Sequence, residues 1–200
     1  GLRTAWELRG RSCLDLELVR PDRKTMVRSR SFGERVETKT GLREALAKHA
    51  QRAAEKLREE SLVAKGIQVF ITTKRFGDPP YYSNAVAAGL GEHTARGAPF
   101  VKASRELLEP IYRDGYGYKK AGVMLYDIRP SRPHQESLFS RRRKEDEDLM
   151  EAVDRINRKH GKNAIHLAAA GLPGEREWAM KRRNRSPRYT TRWDELPVAK

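Results

Sequence analysis

Several residues of this chain have the types and spacing that suit contact with a polyanion. Arg28 and Arg30 lie two apart in an alternating stretch, so one face of an extended segment carries both. Guanidinium groups can take phosphate oxygens two at a time. Ser29, Ser31 and the amide of Gly33 add neutral donors nearby, and Lys74-Arg75 and Lys119-Lys120 stand where strands are expected to end or begin. Charges at strand ends also guard sheet edges against aggregation, but as a set these positions favour phosphate contact. A different chemistry is offered by Gln135-Glu136-Ser137-Leu138-Phe139. There Gln135 is a polar hook, and Leu138 and Phe139 are the two apolar anchors with which an extended peptide fills a groove on a partner.

The balance of charge supports the first reading. The 200 residues carry a net charge of +15, with a sequence pI of about 10.2. The excess is spread as +4 over residues 1–40, +5 over 41–140 and +6 over 141–200. A lone basic tail would suggest a targeting arm, whereas this spread suits long contact with nucleic acid through phosphate neutralisation and counterion release. No apolar run approaches the roughly 18–20 residues needed to span a bilayer. The single cysteine, Cys13, excludes an internal disulfide and points to a reducing, cytoplasmic setting. No catalytic constellation stands out. The five histidines are scattered, and the acidic run Glu145–Asp148 suits the solvated first turn of a helix better than a cation site.

The elements that must position these residues follow from periodicity. Leu2, Ala5 and Trp6 before Gly10 mark the end of a helix, as if its beginning lay upstream. In the stretch from Met26 to Phe32, Met26, Arg28, Arg30 and Phe32 share one face, and Val27, Ser29 and Ser31 share the other. A long helix is expected from about Gly41 to Leu62, and a strand from Ile67 to Lys74 with Gln68, Phe70 and Thr72 opposite Ile67, Val69 and Ile71. A weaker strand follows over Asn84–Leu90. A helix begins near Pro99 and is kinked or ended by Pro110, and a last strand runs over Ala121–Ile128. The order β-α-β-β-α-β over about residues 25–129 predicts an α+β fold. Its four-stranded sheet carries both helices on one face, leaving the other free to bind. An extended linker over 130–142 then holds the Gln135–Phe139 peptide. Beyond it come a helix ending at Gly161, a short strand or hairpin at Asn163–Ala170, and a stretch from Trp178 to Trp193 with six bases and no acid. Tyr189 and Trp193 are the expected anchors of that stretch.

These residues resemble the C-terminal half of the UmuC-like members of the Y family of translesion DNA polymerases. The matching segments are Trp6–Gly10, Ser29–Arg35, Ala53–Arg58, Pro80–Tyr82, Lys120–Leu125, Gln135–Phe139 and Ser186–Arg192, in family order. The resemblance implies that residues 1–18 end the thumb and that 25–129 form the little finger, an accessory DNA-binding domain. It implies further that Gln135, Leu138 and Phe139 bind a bacterial sliding clamp and that 143–200 are a UmuC-type C-terminal region. The polymerase palm, with its magnesium-binding carboxylates, would precede this chain, so the chain itself is expected to need no cofactor and to catalyse nothing. Expected partners are primer-template DNA and the clamp, in the bacterial nucleoid. The alternative is a regulatory module whose C-terminal region recruits UmuD-like or RecA-like partners, with DNA binding secondary.

Overall fold

A computed structural model describes residues 1–14, 23–76, 81–131, 144–161, 163–171, 178 and 186–196. A short helix, α1 (Leu2–Leu8), ends at Gly10, whose φ of +80° is the left-handed conformation that suits glycine after a helix. Four strands follow: β1 (Thr25–Val36), β2 (Leu62–Thr73), β3 (Ser83–Thr94) and β4 (Tyr118–Pro130). They form one sheet in the order β1-β4-β2-β3, with every neighbouring pair antiparallel. Helix α2 (Lys39–Glu59) carries the chain from β1 over β4 to β2, and α3 (Gly97–Leu108) carries it from β3 over β2 to β4. The result is the split β-α-β arrangement that the periodicity predicts, both helices packed on one sheet face.

Local chemistry accounts for the helix limits. Thr38 caps α2 by accepting the Gly41 amide at 3.2 Å, and Lys56 and Arg58 lie in its last turn, where they complement the helix dipole. Its stripe of Leu42, Ala45, Leu46, Ala50, Ala53 and Leu57 is fully buried, and the alanines let the helix approach the sheet closely. Helix α3 stops at Leu108 with Glu109 as its cap, so Pro110 lies just outside and ends the helix without kinking it.

Helix α4 (Lys144–His160), the segment 163–171 and Trp178 contact the helix layer of the domain. Helix α4 is tied to α2 where Arg58 donates to both carboxylate oxygens of Asp154, at 2.6 and 2.7 Å, and also to the Ala95 carbonyl at 2.7 Å. Asn157 and Ile165 exchange hydrogen bonds, each 2.9 Å, which folds the next segment back along α4. That segment is not the strand or hairpin expected at 163–170. It turns and closes in a short 3₁₀ helix (Ala168–Ala170), with Ala170 buried on the core and the Leu167 amide on Gln51. The expected aromatic anchors are also corrected. Trp178 is the buried ring, with Lys48 Nζ 5.1 Å from its centre, whereas Trp193 is 90% exposed and Tyr189 46%. Trp178 wins because it falls over the apolar seam of α2, while Trp193 belongs to a small turn closed by its own ion pairs, Arg188–Glu195 and Arg192–Asp194.

Two outcomes follow. Arg58→Ala strips Asp154 and the Ala95 carbonyl of a charged donor and should cost about 1.5–3 kcal/mol. Hydrogen exchange should then accelerate across α4 while β4 stays protected; unchanged protection of α4 would show that the pair does not hold it. The second outcome concerns His49, 9% exposed on α2. Burial first, then the positive charges of Arg30 and Lys48, lower its pKa from 6.5 to about 4. Between those values the unfolded chain takes up a proton that the folded one refuses, so stability is lost as pH falls from 6.5 to 4, by about 3 kcal/mol. Denaturant unfolding at pH 7 and pH 4.5 should therefore show a smaller loss in His49→Leu than in the parent chain.

Candidate nucleic-acid interface

Register assigns every strand residue to a face, because directly paired residues in an antiparallel ladder point the same way. Three rows across the sheet point towards the helices: Met26–Leu125–Ile67–Ala88, Arg28–Val123–Val69–Val86 and Arg30–Ala121–Ile71–Asn84. Their central members Leu125, Ile67, Val123, Val69, Ala121 and Ile71 are wholly buried. Four rows point the other way: Thr25–Tyr126–Gly66–Gly89, Val27–Met124–Gln68–Ala87, Ser29–Gly122–Phe70–Ala85 and Ser31–Lys120–Thr72–Ser83. Among the described residues, no helix or strand packs on these four rows.

This open face is built of hydroxyls, small residues and two aromatic rings, with Val27, Met124 and Gln68 across its middle. It contains no carboxylate, and Lys120 is its one base. Thr72 and Ser83 share a hydrogen bond of 3.1 Å, and Lys120 Nζ lies 5.8 Å from the centre of the Phe70 ring. Lys74 and Arg75 follow the end of β2, exposed, at the same end of the sheet as Lys120. Four tyrosines close the core at that end. Tyr82 donates to the Ile111 carbonyl, Tyr112 to that of Glu37 and Tyr118 to that of Arg113, each at 2.8–3.0 Å, and Tyr116 stacks at a tilt on Tyr82. The Arg113 guanidinium sits 4.4 Å over Tyr82. This end is therefore rigid as well as basic.

The sequence-predicted residues divide accordingly. Ser29, Ser31 and Lys120 lie on the open face, with Lys74 and Arg75 at its end. Arg28 and Arg30 do not arm that face, which corrects the expectation that they would. They share the side of Met26 and Phe32, both 2% exposed, and the charge of Arg30 is felt by His49 on α2. Arg28 is half-buried with its Nε shielded from solvent, while Arg30 is exposed. Arg30 escapes the core because β1 is an edge strand, where a long side chain can run out past the helix, while Arg28 stays half-buried with its stem against the core. Lys119 is not a free cation either. Its ammonium donates to the carbonyls of Phe32, at 2.5 Å, and Gly33, at 3.2 Å, bracing the irregularity in β1 between Ser31 and Val36. Gln135, Leu138 and Phe139 lie outside the described residues.

Sequence reading placed Phe70 opposite Ile67, Val69 and Ile71 but gave it no role, and it missed Tyr126. The signal was available, since both belong to alternating strands whose other face is apolar at Ile67, Val69 and Ile71 and at Ala121, Val123 and Leu125. Among the described residues no group of three or more His, Cys, Asp and Glu side chains is placed to hold a metal ion, and no helix is long and apolar enough to cross a membrane.

Comparison with known proteins gives a consistent family. Protein SamB of Salmonella typhimurium is 43% identical over 201 residues, covering 99% of this chain and 47% of its own length. Protein UmuC of the same species is 42% identical over 197 residues (97% and 46%), and Protein MucB of Escherichia coli 39% over 200 residues (98% and 46%). The chain thus spans about half the length of the curated relatives it matches. Among solved structures, the insertion ternary complex of Dbh DNA polymerase aligns with a TM-score of 0.42 at 13% identity, over 56% of this chain and 31% of that one. DinB from Sulfolobus solfataricus aligns with the same score and identity, over 51% and 28%. Residues 147–199 match a family described as a domain of unknown function (DUF4113). Residues 23–138, more than half of the chain, match the impB/mucB/samB family C-terminal domain, and to that family the chain belongs.

Proposed function

We propose that this chain is the DNA-holding and clamp-tethering part of a Y-family translesion DNA polymerase, the polymerase itself being supplied by residues outside the sequence described here. One observation carries the reading: a sheet face free of acids, uncovered among the described residues and basic at one end, on a chain of charge +15. A face of that kind suits a phosphate backbone and has little with which to read bases. Ser29 and Ser31 would donate neutral hydrogen bonds, and Lys74, Arg75 and Lys120 would neutralise phosphates at the rigid end. Arg28 and Arg30 would contribute only to the surrounding field. Such a grip tolerates sequence and distortion, as a polymerase acting on damaged template requires. The Gln135–Phe139 peptide would then raise the enzyme's concentration at a primer end by tethering it to a sliding clamp.

The alternative is a recruiting module in which the C-terminal region engages UmuD-like or RecA-like partners, and the 90% exposure of Trp193 favours a contact there. Salt titration of duplex binding separates the two readings. If phosphates supply the affinity, replacing Lys74, Arg75 and Lys120 together by Ala should weaken all sequences about equally, roughly 10- to 100-fold. It should also reduce the slope of log K against log salt by about 2–3. Arg28→Ala/Arg30→Ala should do clearly less. Duplex affinity that ignores salt and survives the triple substitution would favour the recruiting module.

The tether has its own test. Burying Leu138 and Phe139 in a groove is worth roughly 3–6 kcal/mol before ordering costs, which suits a micromolar contact. Changing both to Ala should abolish clamp binding in calorimetry and leave DNA affinity and thermal stability close to those of the parent chain. A double variant that still binds the clamp, or one that unfolds, would rule this peptide out as the tether.

A further inference from the structure

The open face carries a feature that a backbone grip does not use. Phe70 of β2 is paired with Gly122 of β4, and Tyr126 of β4 is paired with Gly66 of β2. A methyl group added at Gly66 would fall 2.2 Å from Tyr126 Cε2 and Cζ, and one added at Gly122 would fall 2.5 Å from Phe70 Cζ on one side and 2.3 Å from Ser29 Cβ on the other. Each ring therefore lies across the neighbouring strand, in the space that a side chain there would fill. The glycines beneath are buried by the rings, while the rings themselves stay partly exposed. The two pairs are reciprocal, an aromatic on one strand over a glycine on the other. They stand four residues apart, or about 13 Å along the strands. Neither ring is part of the helix-side core, and both share their face with Lys120, whose ammonium lies near Phe70.

Two partly exposed rings over glycines on an acid-free face have a specific use for one kind of ligand. A duplex keeps its bases stacked on each other and offers a ring sugars, phosphates and base edges but not the faces of its bases. An unpaired strand offers the π-faces of its bases, and a partly exposed ring seated over a glycine has surface with which to stack on them, the Lys120 ammonium beside Phe70 taking the accompanying phosphate. The complementary charge at the end of the face, from Lys74, Arg75 and Lys120, would hold the phosphates that accompany those bases. The geometry points to a stacking platform for unpaired DNA nucleotides formed by Phe70 and Tyr126. It rests on the reading of the open face as the DNA-binding face, and it adds single-stranded DNA to the ligands of that face. Gly66 and Gly122 are then positioning residues, since a side chain at either would lift its ring off the sheet.

The test uses the full chain and three labelled probes in fluorescence anisotropy: a short oligothymidylate, a strand of equal length built of abasic tetrahydrofuran units, and a hairpin duplex. The parent chain should bind the thymidine strand at least about tenfold more tightly than the abasic one, because the phosphates are the same and only the stacking is removed. Phe70→Leu/Tyr126→Leu should bind the two strands alike and keep its duplex affinity within about twofold. A parent chain that does not distinguish thymidine from abasic strands overturns the platform, and this comparison needs no variant to fold. Equal losses on duplex and single strand in the double variant overturn it as well. Duplex binding without preference for thymidine sinks the platform and leaves the backbone grip standing; failure to bind any of the three probes sinks both.

Discussion

The pairing of β4 on both its sides is the constraint from which the rest follows. The strand is last in sequence but central in the sheet, so its register must satisfy β1 and β2 at once. Ala121, Val123 and Leu125 are wholly buried, and their neighbours Lys120, Gly122, Met124 and Tyr126 face away. A slip of one residue would exchange the two sets and bring Lys120 into the core. No small adjustment satisfies such a sheet. The registry that buries three apolar residues is also the one that presents an acid-free surface with Gly66 and Gly122 under aromatic rings.

The two faces then acquire different tasks. On the helix side, α2 and α3 cover the core, and the C-terminal region is laid over them through Arg58–Asp154, Ala170 and Trp178. Arg58 serves two elements at once, since its third hydrogen bond reaches the carbonyl of Ala95 at the entry to α3. It ties α4 to the same place where β3 hands over to α3. The region matched to a family of unknown function is thus joined to the helix layer of the domain by specific contacts. These contacts fall on the helix layer and on none of the four outward rows of the sheet.

The sequence made the fold legible where periodicity is strong. The alternation of Ile67, Val69 and Ile71 against Gln68, Phe70 and Thr72 gave both faces of β2, and the stripe of α2 gave its buried side. Alternation in a single strand tells which residues share a face but not which face is covered. Arg28 and Arg30 were already grouped with Met26 and Phe32, and those two apolar residues were the sign that their side faces the helices. Two arginines between two core residues read as a binding face only if the arginine stems are forgotten: on an edge strand Arg30 runs past the helix and carries its charge out, while Arg28 stays half-buried. The aromatic tail failed for another reason. Trp178, Tyr189 and Trp193 look alike in a basic stretch, and what separates them is the tertiary position of the α2 seam. Lys119 was misleading because an exposed-looking lysine pair says nothing of carbonyls left over by an irregular strand.

A face with few charges is a stronger candidate for holding distorted DNA than one covered with arginines. Many fixed cations would specify one arrangement of phosphates, and each phosphate moved by a lesion would then lose a contact worth up to a few kcal/mol. Here the charges are confined to one end, where Tyr82, Tyr112 and Tyr118 fix the backbone by hydrogen bonds to carbonyls. The remainder of the face offers hydroxyls that can rotate to suit and two rings that, on the proposed reading, would stack on any base. In the proposed grip, anchorage at one end with tolerance along the rest would let a strand shift without releasing it. On the proposed reading the arginines on the helix side also have a sensible place, since their charge would attract DNA over several ångströms without dictating where any phosphate must lie.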